Sequence, residues 1–332
     1  REPTAKATVM AGASESGEVV IGTVPDEAAG ERLDKVLAKV FPPHSRSQLQ
    51  AWLKEGRITL ANEAPSGRLS VAGGEILCLQ MPPLAQIEWV AEPLPLSVVH
   101  QDEHIVVIDK PCGLVVHPGA GNPAGTLANA ILHQYPATAA LPRAGIVHRL
   151  DKDTSGLLVV ALTELARSEL IRGLEARAIS REYLAVVNGR PISGGTVDAS
   201  IGRHPRNRLK MAVTSKGRPA VTHYRLGQRF RSHTLLKLQL QTGRTHQIRV
   251  HMAHLGFPLV GDPVYGGRFQ LPPRSSPQLI AVLQGFQRQA LHAAVLALAH
   301  PATGESLRWE SVVPSDFAAL IDALSIDAAI ET

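Results

Sequence analysis

Apolar positions first recur at helical spacing at Leu33, Val36, Leu37 and Val40, and Phe41-Pro42-Pro43 then stops the pattern. A second helix is expected directly after it. Leu49, Trp52 and Leu53 form its apolar stripe, Ser45 or Ser47 can cap it, and Gly56 is placed to end it in the left-handed conformation. Two strand-like pieces, Arg57 to Leu60 and Glu75 to Leu79, flank turn residues at Gly67 and Gly73-Gly74. These elements predict a small α/β unit over residues 23–83. Residues 1–22 are small, polar and aperiodic and read as a disordered tail. Met81-Pro82-Pro83 and Glu92-Pro93-Leu94-Pro95 bracket a Pro-rich linker, placed at 84–95.

Beyond the linker the pattern turns mostly to strands, expected at Leu96 to His100, His104 to Asp109, Gly156 to Leu162, Tyr183 to Asn188, Ala220 to Phe230, Thr234 to Leu240 and Leu307 to Ser311. Helical patterns interrupt them at Thr126 to Tyr135, Thr163 to Ala178, Thr245 to Leu255 and Ser315 to Leu324. Strands succeed one another without regular strand-helix alternation. That order predicts an α+β domain over residues 96–325, a mixed and mainly antiparallel sheet flanked by helices and loops. A chain of 332 residues suits two such domains.

With 44% hydrophobic and 19% charged residues the chain can bury a core, which excludes the disordered class. No apolar run approaches the ~20 residues of a spanning helix, and the first thirty residues lack a basic head followed by an apolar stretch. A soluble, cytoplasmic protein is expected, with Cys78 and Cys112 as reduced thiols. Charge changes the picture more. The net charge is only +5, but from Ala199 to Gly261 there is no acidic residue and there are twelve basic ones, so the remainder carries 22 basic against 29 acidic residues. Such a block favours a polyanionic partner over a small neutral substrate, the bland alternative being a solvated basic face.

The densest chemistry is His148-Arg149-Leu150-Asp151-Lys152-Asp153-Thr154-Ser155-Gly156, two carboxylates among three basic side chains at the entrance of an apolar strand. Its bland reading is a polar turn. Asp-x-Asp-Thr resembles the nucleophile loop of aspartate-based phosphatases, but no second acidic cluster supplies a metal. Asp153-Thr154-Ser155-Gly156 resembles an aspartic-protease loop, but no second copy exists. In Thr242-Gly243-Arg244-Thr245-His246-Gln247-Ile248-Arg249-Val250-His251 a strand ends at the Gly, Thr245 can cap a helix, and Arg244 sits at its electropositive start. The three histidines His246, His251 and His254 have no Glu between them, so a zinc site is not expected; His251 and His254 face phosphate or pack on the sheet. Tyr183, entering a strand in Arg181-Glu182-Tyr183, is by itself a packing residue.

With Asp109-Lys110-Pro111-Cys112-Gly113-Leu114-Val115-Val116-His117 before them, these motifs occur in an order that resembles the RluA-type pseudouridine synthases, from about Leu96 to Ser311. The unit before them resembles an S4-type RNA-binding domain. The resemblance implies an isomerase that breaks the N1 glycosidic bond of a uridine, turns the base and rejoins it through C5, with no cofactor and no metal. It implies Asp151 as the essential aspartate, acting at the ribose C1′ or on the uracil ring, Tyr183 stacked on the base and assisting removal of the C5 proton, and Arg149 entering the space of the flipped nucleotide. A carboxylate suits a glycosidic centre, and Arg244 is expected to keep Asp151 ionised. RNA contacts are expected from Arg149, His148, Lys152, His246, Gln247 and Arg249, and from Arg32, Lys35, Arg46, Lys54 and Arg57 of the small domain. The base must leave its stack to be reached, which is cheapest in a stem-loop. The implied partner is large-subunit ribosomal RNA or an assembling large-subunit particle, met by a monomer away from any membrane. The competing reading is a non-catalytic RNA-binding assembly factor in which Asp151 merely pairs with Arg244.

Overall fold

The structure, a computed structural model, describes residues 19–329 except 43, 45, 62, 82–88, 120, 208, 209, 268 and 270. The chain divides into two compact units between Glu88 and Trp89.

The first unit contains β1 (Val19–Thr23), α1 (Leu33–Val40), α2 (Arg46–Lys54), β2 (Ile58–Leu60) and β3 (Ile76–Gln80), the strands forming an antiparallel sheet in the order β1-β3-β2. Alternation along β3 turns Leu77 and Leu79 inward, where they meet Leu33, Val36 and Leu37 of α1 and Leu49, Trp52 and Leu53 of α2 in one core. Gly56 ends α2 at φ +72°, as its position predicts. Ser45, a candidate cap, lies outside the described residues, as do residues 1–18 of the expected tail. The tail reading runs too far, because Val19–Gly22 belong to β1, paired with β3 from Val19↔Gln80 to Thr23↔Ile76. Val19 and Ile21 stay exposed while Val20 between them packs on the core, so apolar residues fall on both faces and no apolar-polar alternation marks this strand.

The second unit contains, in chain order, β4 (Val98–Gln101), β5 (Ile105–Lys110), α3 (Leu127–Gln134), β6 (Ser155–Ala161), α4 (Glu164–Glu175), β7 (Ser180–Asn188), β8 (Gly195–Asp198), β9 (Ile201–Arg203), β10 (Met211–Val213), β11 (Val221–Arg229), β12 (His233–Leu240), α5 (Gln247–His254), α6 (Pro277–Gly285), β13 (Leu291–Ala299), β14 (Ser306–Glu310) and α7 (Ser315–Ala329). A nine-stranded sheet runs β4-β5-β6-β13-β7-β12-β11-β8, with β14 on β13, and only β13 and β6 pair in parallel. This is the mixed, mainly antiparallel α+β architecture expected. The sheet is covered on both sides. In β6, Leu158 and Val160 enter one core with α3 and α5, and Leu157, Val159 and Ala161 enter another with α4. The residues placed in the linker at 89–95 are part of this unit. Glu92 N–H donates to Asn129 O at 3.0 Å, Asn129 Nδ2 donates to Val90 O at 2.7 Å, and Trp89 packs on the core. Residues 84–88 lie outside the described ones. At the other end α7 runs on to Ala329, past the expected limit of 325.

Candidate active site

The loop carrying Asp151 enters β6, and Gly156 decides where it sits. At φ +112° a Cβ on Gly156 would fall 2.2 Å from Ala293 O, so only glycine lets β6 approach β13 at the register His292↔Ser155 and Ala293↔Gly156. The loop is then clamped from both ends. Lys110 Nζ, fully buried, donates to Pro111 O (2.8 Å), Leu114 O (2.9 Å) and Lys152 O (3.0 Å). Arg288 Nη1 donates to Asp153 O at 3.2 Å, and Gln289 Nε2 to Thr154 Oγ1 at 3.1 Å.

Burial pushes Lys110 down to about 8. Its folded pKa thus lies below the unfolded value of about 10.4, so its contribution makes stability rise with pH between those two values. Lys110→Met leaves three carbonyl oxygens without their donor. A loss of about 2–4 kcal/mol in urea unfolding is expected, and the variant should lack the alkaline rise of wild type.

Asp151 does not meet the arginine expected. Its Oδ2 accepts from Arg249 Nη1 at 2.9 Å, whereas Arg244 lines the same cleft and spends its Nε on Pro219 O at 3.1 Å. Arg249 also grips Asp262 in a bidentate pair, Nε to Oδ2 at 2.7 Å and Nη2 to Oδ1 at 2.9 Å. Burial raises the Asp262 carboxyl, but the Arg249 hydrogen bonds and charge, with the Tyr265 and Val264 N–H groups, outweigh it and hold the group below the usual carboxylate range. Burial likewise opposes the charge on Arg249, and the two carboxylates more than compensate, holding it above its ordinary value. The guanidinium lies over the Tyr265 ring, 5.1 Å from its centroid.

Several expected RNA contacts are therefore internal. Gln247, Ile248, Arg249, Val250, His251 and Met252 are all buried, so α5 is enclosed around its circumference. Gln247 Oε1 accepts from Arg244 N and Thr242 Oγ1, and its Nε2 donates to Val221 O and Thr222 Oγ1. Those bonds hold the helix start, which is His246 at φ +57° and not a Thr245 cap. His251 packs on the sheet through Thr222 Oγ1 and Ala199 O. His148 Nε2 accepts from Val159 N at 3.2 Å, and burial pushes this imidazole well below its usual range, so it is a neutral strand clamp rather than a phosphate contact.

Other expected residues do surround Asp151. The cleft is lined by Arg149, Tyr183, Arg244 and His246 beside it. Tyr183, 5% exposed on β7, has its hydroxyl pKa raised by burial and so stays protonated. Arg149 is exposed and its side chain makes no hydrogen bond or ion pair among the described residues; Lys152 is exposed as well. His246 Nε2 lies 3.9 Å from Asp151 Oδ1.

Lys110 stands in one of the motifs but its clamping role has no sequence signal, and Asp262 and Tyr265 lie outside the motifs. A signal for Asp262 existed, since it is the acid that ends the acid-free block. A wider hollow of about 920 Å³ is lined by residues including His233, Pro258, Phe269 and Phe286, but its one carboxylate is Asp262, already committed to Arg249. Among the described residues there is no group of three or more His, Cys, Asp or Glu that could hold a metal, and no helix long and apolar enough to cross a membrane.

In the small unit, Lys35, Arg46 and Lys54 are exposed, while Arg32 pairs with Asp34 at 2.6 Å and Arg57 with Glu55 at 2.8 Å. Such exposed pairs are worth about 0–1 kcal/mol and leave both arginines available to phosphate.

A family model described as RNA pseudouridylate synthase matches residues 104–254. The ribosomal large subunit pseudouridine synthase D of Xanthomonas campestris is 56% identical over 306 residues, 92% of each chain. That of Pseudomonas aeruginosa is 55% identical over 304 residues, 92% of this chain and 95% of the other. The solved structure of human RNA pseudouridylate synthase domain containing 4 aligns with a TM-score of 0.54 at 27% identity, covering 69% of this chain and 93% of the other. The chain belongs to the RluA-type family of RNA pseudouridine synthases. It is an isomerase.

Proposed function

We propose that this enzyme converts uridines to pseudouridine in a stem-loop of large-subunit ribosomal RNA, free or in an assembling particle, as a cytoplasmic monomer that needs no metal or cofactor. The observation that carries the reading is the Asp151 carboxylate, one oxygen fixed by Arg249 at 2.9 Å and the other open to a cleft shared with Tyr183 and Arg149. In the reaction the C1′–N1 bond breaks with its electron pair going to the uracil. The base turns, C5 bonds to C1′, the C5 proton passes to solvent and N1 takes one from solvent, so the product is an isomer of uridine. Asp151 acts at C1′ or on the ring, Tyr183 stacks on the base, and Arg149 fills the space left in the RNA. The relatives named for the large ribosomal subunit support the choice of RNA.

The test is tritium release from C5-labelled uridine in a large-subunit rRNA transcript, with excess EDTA. Release by wild type is expected; none from transcript or from precursor particles would leave an RNA-binding assembly factor.

The small unit, read as an S4-type domain at 23–83, supplies a second phosphate-binding surface through Arg32, Lys35, Arg46, Lys54 and Arg57. Lys35→Ala and Lys54→Ala should each reduce the slope of log affinity against log salt by about 1, with single-turnover rates at saturating enzyme unchanged. Filter binding across a salt series measures it.

A further inference from the structure

His246 is held in a strained place. It enters α5 at φ +57° and ψ +23°, a left-handed conformation that costs a residue with a Cβ roughly 1–2 kcal/mol. Its ring is not spent on capping the helix, because the Gln247 carboxamide accepts from Arg244 N instead. Its Nδ1 lies 2.8 Å from the Tyr265 hydroxyl, which itself accepts from Met211 N at 2.9 Å. A phenol that accepts from a backbone N–H has its own proton to give, and Nδ1 is the acceptor within reach. The imidazole proton therefore sits on Nε2, on the side of Asp151 Oδ1 at 3.9 Å. The carboxylate favours the same tautomer, since a bare nitrogen lone pair beside it would be repelled.

We propose that His246, locked as its Nε2–H tautomer by Tyr265, is the neutral hydrogen-bond donor to the uracil carbonyl beside Asp151 while the glycosidic bond is broken. This rests on the isomerase reading above. When the bond breaks, the uracil takes the electron pair and spreads its charge over N1, O2 and O4. A donor fixed beside that charge and needing no reorganisation stabilises it more than the uncharged base. Of the arginines lining the cleft, Arg249 is already divided between two carboxylates, Arg244 gives its Nε to Pro219 O, and Arg149 is the one read as entering the RNA. An imidazolium would be the wrong species, because it would pair with Asp151 and quench it. Burial, then Arg249 and Arg149, disfavour that charge, against Asp151 and Asp262 on the opposite side of the balance, and the ring's pKa lies below its usual value.

Two measurements test this. In wild-type protein carrying ¹⁵N-histidine, assigned by difference from His246→Asn, the ring shifts should show the neutral Nε2–H tautomer at neutral pH, and Tyr265→Phe should show a mixture. An Nδ1–H tautomer or an imidazolium in wild type overturns the proposal. In single-turnover assays His246→Asn keeps a residue that tolerates the left-handed turn but withdraws the donor. Its maximal rate should fall about 100-fold, with the half-saturating concentration within about twofold. His246→Gln, whose amide nitrogen can reach the Nε2 position, should recover part of that loss. A His246→Asn rate within about threefold of wild type, or a loss confined to binding, overturns the role of His246 alone. Absence of turnover in wild type would remove both this role and the isomerase reading beneath it.

Discussion

Asp151→Asn should lower pseudouridine formation by at least about 10⁴-fold, the scale on which removal of a covalently acting group is felt, while RNA affinity stays within about threefold. The replacement is isosteric, and its side-chain oxygen can still accept from Arg249 Nη1, so the loop held by Lys110, Arg288 and Gln289 need not move. What is lost is the negative charge at the open oxygen, and with it any attack on C1′ or the ring. On the function proposed above, affinity rests on exposed cations such as Arg149, Lys152, Lys35 and Lys54, through phosphate contacts that do not depend on the carboxylate. Removing an anion from a cleft that faces RNA favours slightly tighter binding. Tritium release and filter binding on the same transcript separate the two effects. Equal loss of both would mean that Asp151 shapes the RNA surface and does not act on the nucleotide.

The parts of this architecture that could be read from sequence are those whose signal is local. The stripe Leu33, Val36, Leu37 and the helical pattern from Thr126 to Tyr135 are each short-range signals, and α1 and α3 form there. The central strand β13 escaped. Leu291–Ala299 is rich in Ala and Leu, which favour helix, and lies between buried neighbours, so no polar alternation marks it; pairing with β6, β7 and β14 overrides propensity. α6 escaped because Ser276 and Pro277 open it inside a Pro-rich stretch that reads as loop. At the site the motif was legible but its geometry was not. Arg244 stands at the helix start, where a phosphate or carboxylate ligand is expected, yet the turn through His246 sends the residue five places on, Arg249, toward Asp151. Which arginine faces inward depends on that left-handed residue, and no spacing rule announces it. Likewise Tyr265 reaches His246 only because Asp262 ties the intervening turn to Arg249, accepting from Val264 N and Tyr265 N at 2.9 and 3.0 Å.

Arg249 should accordingly be as costly to lose for folding as Asp151 is for chemistry. Asp262 has a fully buried side chain whose only cationic partner among the described residues is this guanidinium. Arg249→Met leaves that carboxylate with two backbone donors and no opposite charge. Breaking one side of a buried pair costs about 3–5 kcal/mol. The pH dependence should change sign. In wild type the folded pKa of Asp262 lies below its unfolded value of roughly 3.9, so the pair stabilises the fold above that value and the contribution is lost as pH falls through the folded pKa. In the variant burial is opposed only by those two backbone donors, and the folded pKa is expected to rise above the unfolded one. Ionised Asp262 then destabilises the fold at neutral pH, and acidification toward about pH 5 relieves it. Urea unfolding of both proteins across that range should therefore show the gap between them narrowing as pH falls. Adding Asp262→Asn to Arg249→Met removes the orphaned charge and should restore more than half of the lost stability. Isomerisation should stay about 10³-fold down or lower in the double variant, because Asp151 still lacks the arginine that orients it. Recovery of activity along with stability would show that Arg249 serves the fold alone.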